Sequence, residues 1–340
     1  IMSDEFSTER IVSGEGSNKD QELEKALRPA LLNDFTGQQI IKDNLNIYIE
    51  AALKRSETLD HILFSGPPGL GKTTLAKIIA KEMGVNIVET SGPTLEKPGD
   101  LAGILTSLKE GDLLFIDEIH RIPIVVEEYL YSAMEDFFID IVIDSGPGSR
   151  SVKLPLPKFT LAGATTREGN LSTPFRERFG IREKLKYYNV EDLKTITLRT
   201  AKVLAVQIDD DAAIELAKRC RGTPRVANRF LRRIRDLAEV KSNGIVNRKI
   251  AMEGLKMLGV DQKGLEDLDR RILEVLTKAK KPVGLKTLSI SVNEVESTIE
   301  DIYEPYLIQE RYKEKSDRDR IATLKAFEHL GVKNPKDLFS

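Results

Sequence analysis

The chain has 340 residues, with 52 Lys plus Arg against 54 Asp plus Glu, and a formal net charge of −2. This length predicts two or three domains with their own hydrophobic cores. The balanced charge excludes a basic field over the whole molecule, so nucleic-acid binding would need a local patch or a ring of subunits. The single cysteine, Cys220, excludes an internal disulfide framework and is typical of a reducing cytoplasm.

Membrane and secreted proteins are also disfavoured by the sequence. It contains no apolar run of the roughly 20 residues that a membrane helix needs, and its first residues are polar rather than signal-like. Three His and one Cys are too few for a cluster of metal ligands of those types. We expect a cytoplasmic protein in which residues 1–21, poor in periodicity, form a mobile N-terminal arm.

The most specific motif is a glycine-rich loop at 66–73, Gly-Pro-Pro-Gly-Leu-Gly-Lys-Thr, which matches the phosphate-binding P-loop. An apolar run at 62–64 precedes it and a helical pattern at 75–83 follows it, as the motif requires. Its glycines turn backbone N–H groups toward phosphate oxygens, and the following helix adds its positive end. Lys72 would reach the outer phosphates, and the Thr73 hydroxyl would complete the coordination of Mg²⁺. The chain is therefore predicted to bind a nucleoside triphosphate.

Short apolar runs alternate with helical stretches from residue 60 to about Tyr188, which predicts a parallel sheet covered on both faces. Within this core, taken as 22–188, the predicted strands are 61–65, 86–90, 112–117 and 158–164, and the predicted helices include 73–83 and 125–136. Residues 139–154 predict a β-hairpin that turns at 145–149. An exposed apolar hairpin usually marks an interface, although a hairpin that packs on its own domain also fits.

A second section, 189–260, is predicted to be wholly helical. Its helix at 210–221 ends at Gly222, where a glycine commonly follows a helix. Thr223 is then predicted to cap the next helix, and Pro224 to occupy its first position.

The third section, 261–340, predicts a winged-helix module. A helix at 268–279 is followed by a Pro-Gly interruption and a helix-turn-helix pattern, with Asn293 as the cap of the second helix. Strands at 306–312 and 321–325 would flank a charged loop.

An apolar strand at 113–116 ends in Asp117 and Glu118, the Walker B pattern. Asp117 would hold Mg²⁺ through its water shell, and Glu118 would orient the attacking water. A glutamate at this place favours hydrolysis over passive binding, because a pure switch needs no carboxylate to activate water. His120 fits a surface or supporting role as well as a catalytic one.

Further candidates lie downstream. Thr165 lies at the end of the strand at 159–164 and could sense the γ-phosphate, although a plain turn threonine fits too. Arg176 and Arg178 could meet the nucleotide of a neighbouring subunit, since arginine supplied in trans stabilises charge on the transferred phosphoryl group. On the residues alone, a surface salt bridge describes them better. Arg225 lies at a helix start, where the helix dipole and its guanidinium both favour a phosphate.

Five motifs in this order resemble the RuvB family, the AAA+ motors of bacterial Holliday-junction branch migration. They are the P-loop, Asp-Glu-Ile-His at 117–120, Gly-Ala-Thr-Thr-Arg at 163–167, Arg-x-Arg-Phe-Gly at 176–180 and Gly-Thr-Pro-Arg at 222–225. The resemblance extends from Leu27 to about Phe327. It implies an α/β fold, with an AAA+ P-loop core built on a parallel sheet, a small helical lid domain and a C-terminal winged-helix domain. It also implies an ATP-dependent, hexameric motor that acts on double-stranded DNA and four-way junctions.

The resemblance implies a role for each matching residue, with ATP and Mg²⁺ as ligands. Nucleotide contacts are assigned to Leu27, Arg28, Gly69, Gly71, Lys72, Thr73, Thr74, Glu135, Asp136, Phe137, Tyr188 and Arg225. Thr73 and Asp117 are the metal residues, Glu118 completes Walker B, and Thr165 or Thr166 takes the sensor-1 position. Arg178 becomes the arginine finger and Arg225 the sensor-2 arginine. Each active site would thus be shared by adjacent subunits.

Two segments are explained by the family. The hairpin at 139–154 would dock on a RuvA-type junction-binding partner. The wing would meet DNA phosphates through Arg311, Lys315, Arg318 and Arg320, because the helix before it is acidic. The usual family wing reads Arg-Thr-Pro-Arg-Gly-Arg, whereas residues 315–320 read Lys-Ser-Asp-Arg-Asp-Arg, with two aspartates and without the Pro and Gly.

Two other classes of protein share some of these features. A clamp-loader or helicase-loader ATPase has the core motifs but needs neither the hairpin nor the wing. A protein-remodelling ATPase could use an acidic winged helix to bind protein. DNA binding with a steep salt dependence would separate the DNA-acting classes from the last one.

Overall fold

The computed structural model of the chain describes residues 26–142, 151–279, 281–316 and 319–333. The predicted N-terminal arm (1–21), the turn of the predicted hairpin (145–149) and Arg318 lie outside these residues. The described part contains an α/β core, a mainly helical lid and a winged-helix module, in this order along the chain.

The core is built on the predicted parallel sheet. Its strands and those of the hairpin are β1 (Ile62–Ser65), β2 (Ile87–Ser91), β3 (Leu113–Asp117), β4 (Phe138–Val142), β5 (Ser151–Pro155), β6 (Thr160–Thr165) and β7 (Ile181–Lys184). Its helices are α1 (Gln39–Arg55), α2 (Lys72–Glu82), α3 (Pro98–Ser107), α4 (Ile124–Glu135) and α5 (Thr173–Glu177). The sheet has the order β2-β3-β6-β1-β7, and each neighbouring pair is parallel.

Alternate side chains of the central strands enter two hydrophobic clusters, one on each face of the sheet. In β3, Leu113 and Phe115 belong to one cluster, and Leu114 and Ile116 to the other. The first of these clusters also includes apolar residues of the lid. Burial on both faces explains why the strands read as continuous apolar runs rather than alternating ones.

The hairpin stems are present as an antiparallel pair, β4 with β5, in which Ile139 lies opposite Leu154. Ile139 is buried, whereas the side chain of Val152 on the opposite strand is exposed. The two residues lie on the same face of the pair, which is buried at Ile139 and exposed to solvent at Val152.

The lid contains α6 (Val190–Val203), α7 (Asp210–Arg219), α8 (Pro224–Lys241) and α9 (Arg248–Met257). It is not wholly helical, because β8 (Gln207–Ile208) and β9 (Ile245–Val246) form a short parallel pair. Pro224 occupies the first turn of α8 as predicted, and Thr223 is at the N-cap position. The Thr223 hydroxyl does not cap the helix, because it donates to the carbonyl of Arg221 at 2.9 Å.

The third unit contains α10 (Asp267–Lys278), β10 (Val283–Gly284), α11 (Leu285–Val292), α12 (Glu296–Thr298), α13 (Glu304–Gln309), β11 (Lys313–Lys315), β12 (Asp319–Ala322) and α14 (Leu324–Leu330). A π-helical turn, Ile299–Tyr303, joins α12 to α13. The three strands form a sheet in the order β10-β12-β11. Helices followed by this small sheet confirm the predicted winged-helix architecture.

Three local predictions for this module are wrong. The segment 306–312 is not a strand: α13 begins at Glu304, and Pro305 lies in its first turn, where its missing N–H is not needed. The predicted strand 321–325 ends at Ala322, and α14 follows. Asn293 adopts a left-handed conformation, φ 52°, and ends α11 rather than capping the next helix.

Three charged side chains form a buried network inside the module. Glu304, Lys313 and Arg320 are only 1%, 1% and 2% exposed. Arg320 donates from Nε to Glu304 Oε1 at 2.8 Å, and Lys313 donates to the same oxygen. Burial by itself would raise the pKa of Glu304, but the hydrogen bonds from Arg320 and Lys313 outweigh it and lower this pKa to about 2. The carboxylate thus pairs with two cations in the interior, and Arg320 also contacts Glu300 at 3.0 Å.

Replacing Glu304 with Ala should destabilise the winged-helix module by about 3–5 kcal/mol, since it leaves buried cations without their partner. Urea unfolding followed by circular dichroism, with hydrogen exchange of the module, would measure this loss. The matched control is Glu314→Ala, at an exposed position on β11, which should change stability by less than about 0.5 kcal/mol.

The same network gives the sign of a pH dependence. Because the pKa of Glu304 is depressed in the folded state, its contribution is present above its unfolded pKa of about 4.3 and is lost as pH falls toward 2. A Glu304→Ala variant as stable as the native chain at neutral pH would contradict this account.

Candidate nucleotide site

A cleft of about 240 Å³ lies between the core and the lid. It is lined by residues from the segment 27–36, the P-loop, Walker B and α8. The predicted site residues that line it are Leu27, Arg28, Gly69, Gly71, Lys72, Thr73, Thr74, Asp117, Glu118, Tyr188 and Arg225. Residues far apart in sequence therefore meet at one place, at the carboxyl edge of the parallel strands, where ligands bind in such sheets.

The P-loop depends on glycine at two points that contact neighbouring elements. Gly69 has φ +78°, and a Cβ there would lie 2.9 Å from Thr223 of the lid. Gly71 has φ +107°, and a Cβ there would lie 3.0 Å from the ring of Phe35. Both backbone conformations favour glycine, and both positions are too close to a neighbour for a side chain. The loop shape fits a phosphate-binding turn with α2 starting directly behind it.

Lys72 is buried within this loop, with 7% exposure. Its ammonium donates to the carbonyls of Gly66 and Pro67 at 2.7 and 2.8 Å. Burial lowers its pKa to about 8, while the nearby charge of Asp117 acts in the opposite direction. The side chain places a positive charge at the loop, as binding of an anionic ligand requires.

Of the Walker B carboxylates, Asp117 ends β3 and Glu118 follows it. Asp117 accepts a hydrogen bond from the backbone N–H of Glu118 at 2.9 Å, and the Glu118 carboxylate accepts one from Arg121 at 2.9 Å. Glu118 has φ +47°, and its carbonyl would be 2.3 Å from a Cβ on Gly92. Gly92 therefore leaves space for this tight turn. Since the Thr73 hydroxyl and the Asp117 carboxylate line one cleft, the oxygen ligands that Mg²⁺ prefers are available there.

The two candidate sensor threonines differ in their surroundings. Thr165 is 1% exposed, and its hydroxyl lies 3.0 Å from Nδ1 of His120 and accepts from the N–H of Arg167 at 3.0 Å. Thr166 is exposed and lines the cleft. The structure thus places Thr166 at the cleft surface and Thr165 behind it, which does not support the preference for Thr165. His120 contacts Thr165, as a supporting residue would.

Tyr188 and the segment 27–36 line the cleft together. The Tyr188 hydroxyl donates to the carbonyl of Leu70 at 2.9 Å, and burial raises its pKa. Arg199, which the sequence analysis did not select, donates to the carbonyls of Asp34 and Leu27 at 2.8 and 3.3 Å. Other cleft residues that it missed are Phe35, Thr36, Ile196, Asn228 and Arg232. They lie in ordinary helical or loop sequence without a recognisable motif.

A second group of predicted residues lies away from this cleft in the described part of the chain. Arg178 contacts Glu135, with Nη2 3.2 Å from Oε1. Asp136 directly follows Glu135, and the ring of Phe137 packs near Phe159, with centroids 6.0 Å apart. Within one chain these four residues do not line the cleft that holds Lys72.

The predicted DNA-binding residues are also unevenly placed. Arg320 belongs to the buried network with Glu304, so its side chain is not on the surface, and the structure does not support it as a DNA contact. Lys315 pairs with Glu300 at 3.0 Å and with Glu304 at 3.2 Å, and is one-third exposed. Arg311 is exposed at the start of the wing.

An ion pair connects the segment after β6 with the winged-helix module. Arg167, whose N–H contacts Thr165, donates from Nε to Asp301 at 2.9 Å and lies 3.7 Å from Glu300. Glu300 in turn contacts Lys315 of the wing at 3.0 Å. The carboxyl end of β6 is therefore in direct contact with the third unit.

Each of the three units matches a domain of the same protein family. Models of the Holliday junction DNA helicase RuvB P-loop domain, the RuvB AAA lid domain and the RuvB C-terminal winged helix domain match residues 27–185, 188–261 and 262–331. The Holliday junction branch migration complex subunit RuvB of Salinibacter ruber is 55% identical over 341 residues, covering 98% of this chain and 99% of that protein.

The fold is also similar to those of solved RuvB structures. The Thermotoga maritima RuvB Holliday junction branch migration motor is 47% identical and superimposes with a TM-score of 0.83, covering 91% of this chain and 100% of that one. A variant of the same protein gives a TM-score of 0.84. Among the described residues, none of the helices is both long enough and apolar enough to cross a bilayer. The matched models span the chain from P-loop core to winged helix, and the chain belongs to the RuvB family of AAA+ P-loop ATPases.

Proposed function

We propose that the chain is one subunit of a hexameric ring that uses ATP to drive branch migration of Holliday junctions together with a RuvA-type partner. The main observation in support of this proposal is that the predicted site residues lie at two separate places on one chain. Lys72, Asp117 and Glu118 line the cleft, whereas Arg178 lies at another part of the same chain. A site that is complete only with a second copy favours a closed ring, in which each subunit supplies both halves.

The cleft residues suit hydrolysis of ATP. Lys72 and the P-loop N–H groups would bind the phosphates, and Arg225 would approach them from the lid. Thr73 and Asp117 would hold Mg²⁺, which neutralises phosphate charge when bound. Glu118 would orient the attacking water, and its half-exposed carboxylate is accessible for that role. Thr166, rather than Thr165, is proposed to contact the γ-phosphate.

The second half of the site would come from the neighbouring subunit. Arg178 would act there as the arginine finger, with Glu135, Asp136 and Phe137 bordering the same nucleotide. Arginine suits this role because its planar guanidinium binds phosphate oxygens through several N–H groups at once.

DNA and the partner protein would use the remaining segments. Arg311, Lys315 and Arg318 are proposed to contact phosphates of double-stranded DNA, with no sequence preference. The hairpin of β4 and β5 would dock on the RuvA-type protein. Cytoplasmic location is part of the same proposal.

Replacing Lys72 with Ala should lower nucleotide affinity about 10- to 100-fold, because charge-assisted hydrogen bonds to the phosphates are lost. Titration with a fluorescent ATP analogue would measure it. The matched control is Lys77→Ala on the same helix, whose ammonium forms a surface pair with Glu89 at 2.8 Å. Equal binding by the native chain and Lys72→Ala would contradict the role of Lys72.

The motor function is tested by ATP-dependent dissociation of a synthetic four-way junction, with and without a RuvA-type protein. We expect partner-dependent dissociation by the native chain and none by Glu118→Gln, which should still bind ATP. Hydrolysis of ATP without junction dissociation would instead favour a loader-like switch. Normal turnover by Glu118→Gln would overturn the role of the carboxylate.

The wing proposal predicts opposite effects for two exposed residues. Arg311→Ala should weaken duplex binding and reduce the slope of log affinity against log salt by about one, since one phosphate contact is lost. Glu314→Gln removes an exposed negative charge beside the wing and should strengthen binding. Fluorescence anisotropy at several salt concentrations measures both, and an unchanged slope in Arg311→Ala would exclude that contact.

A further inference from the structure

The guanidinium of Arg178 is held against an aromatic ring. Its central carbon lies 4.4 Å from the centroid of Tyr131. One terminal nitrogen donates to the carbonyl of Pro174 at 2.8 Å, and the other lies 3.2 Å from Glu135. A guanidinium stacked on a ring keeps its N–H edges available for acceptors, because the contact uses its flat face.

Tyr131 is itself fixed by a buried carboxylate. Its hydroxyl donates to Glu127 at 2.5 Å and lies 2.8 Å from the hydroxyl of Ser172, which also donates to Glu127. Glu127 is 6% exposed. Burial and the Glu127 hydrogen bond raise the pKa of Tyr131, so the phenol remains a neutral donor. The ring is therefore oriented by hydrogen bonds that do not involve Arg178.

The same contacts position the backbone that carries the arginine. Ser172 is the N-cap of α5 and accepts from the N–H of Phe175 at 3.3 Å, and Arg178 ends that helix. Phe175 is fully buried beside the Tyr131 ring, with centroids 5.7 Å apart. Thus α5 is tied to α4 at its start through Glu127 and at its end through Tyr131.

The ion pair of Arg178 with Glu135 is weaker than its stacking contact with Tyr131. Its side chain is 55% exposed, and an ion pair at such a site contributes little in water. A phosphate oxygen could replace Glu135 without disturbing the stacked face. Tyr131 offers no competing charge, so it can keep its contact while the N–H edge changes partner.

We infer that Tyr131 is a positioning residue for Arg178: its ring, fixed by Glu127 and Ser172, presents the guanidinium to the nucleotide of the adjacent subunit, and Glu135 is the counter-ion that the phosphate displaces. This inference rests on the proposed action of Arg178 in trans. Such preorganisation accelerates phosphoryl transfer because the cation need not be reordered in the transition state.

The test uses mixed rings in which only one type of interface is active. Arg178→Ala subunits keep the P-loop but lack the finger, and Lys72→Ala subunits keep the finger but lack nucleotide binding. Their mixture should recover ATPase activity, because a Lys72→Ala subunit supplies Arg178 to its neighbour. Tyr131→Leu is then introduced into one subunit type at a time.

Placed in the Lys72→Ala subunits, which donate the finger, Tyr131→Leu should lower kcat of the mixture about tenfold, with KM for ATP unchanged. Placed in the Arg178→Ala subunits, it should change kcat by less than about twofold. Tyr131→Phe in the donor keeps the ring and should retain activity within about threefold. Circular dichroism and size-exclusion chromatography check folding and assembly.

The outcomes separate this inference from the proposal beneath it. Equal losses for both placements of Tyr131→Leu, or equal losses for Leu and Phe in the donor, would show a merely structural role and overturn the inference alone. A mixture without any Tyr131 substitution that recovers no activity would overturn the action of Arg178 in trans, and the positioning role with it.

Discussion

The site depends first on the parallel pairing of β6 between β1 and β3. This pairing brings together the carboxyl ends of three strands. The P-loop follows β1, Asp117 and Glu118 lie at the end of β3, and Thr165 and Thr166 lie at the end of β6. Every cleft residue of the core is placed relative to that edge. Apolar side chains on both faces hold the register, because a one-residue slip would reverse which face each side chain enters.

Much of this arrangement could be predicted from the sequence, because its motifs encode backbone geometry. Gly69 and Gly71 are required by positive φ and close neighbours, so their spacing identifies the loop. The segment after Glu304 was harder, since Tyr306 and Leu307 form an apolar run too short to distinguish strand from helix by periodicity. Arg199 contacts carbonyl groups of distant residues, and such contacts leave no local pattern.

The positions of charged residues in the sequence predicted their structural roles least well. The wing sequence presents several basic residues, which predict a DNA-binding surface, yet Arg320 and Lys313 form ion pairs with Glu304 in the interior of the module. The sequence shows which side chains are basic, whereas burial determines whether a basic side chain can bind an external ligand or instead pairs with a carboxylate inside the protein. Conversely, the sequence around Arg178 predicts an ordinary surface ion pair, whereas its contact with the Tyr131 ring arises from the packing of α5 on α4.

The contact between Arg167 and Asp301 restricts the exchange of winged-helix modules between related proteins. Because one partner follows β6 and the other lies in the third unit, this ion pair joins the winged helix to the edge of the core. A module transplanted from a relative without acids at 300 and 301 would leave Arg167 without these two partners, close to Thr166, which lines the cleft. The two segments are therefore expected to vary together, and chimaeras that exchange them as a matched set should retain this junction.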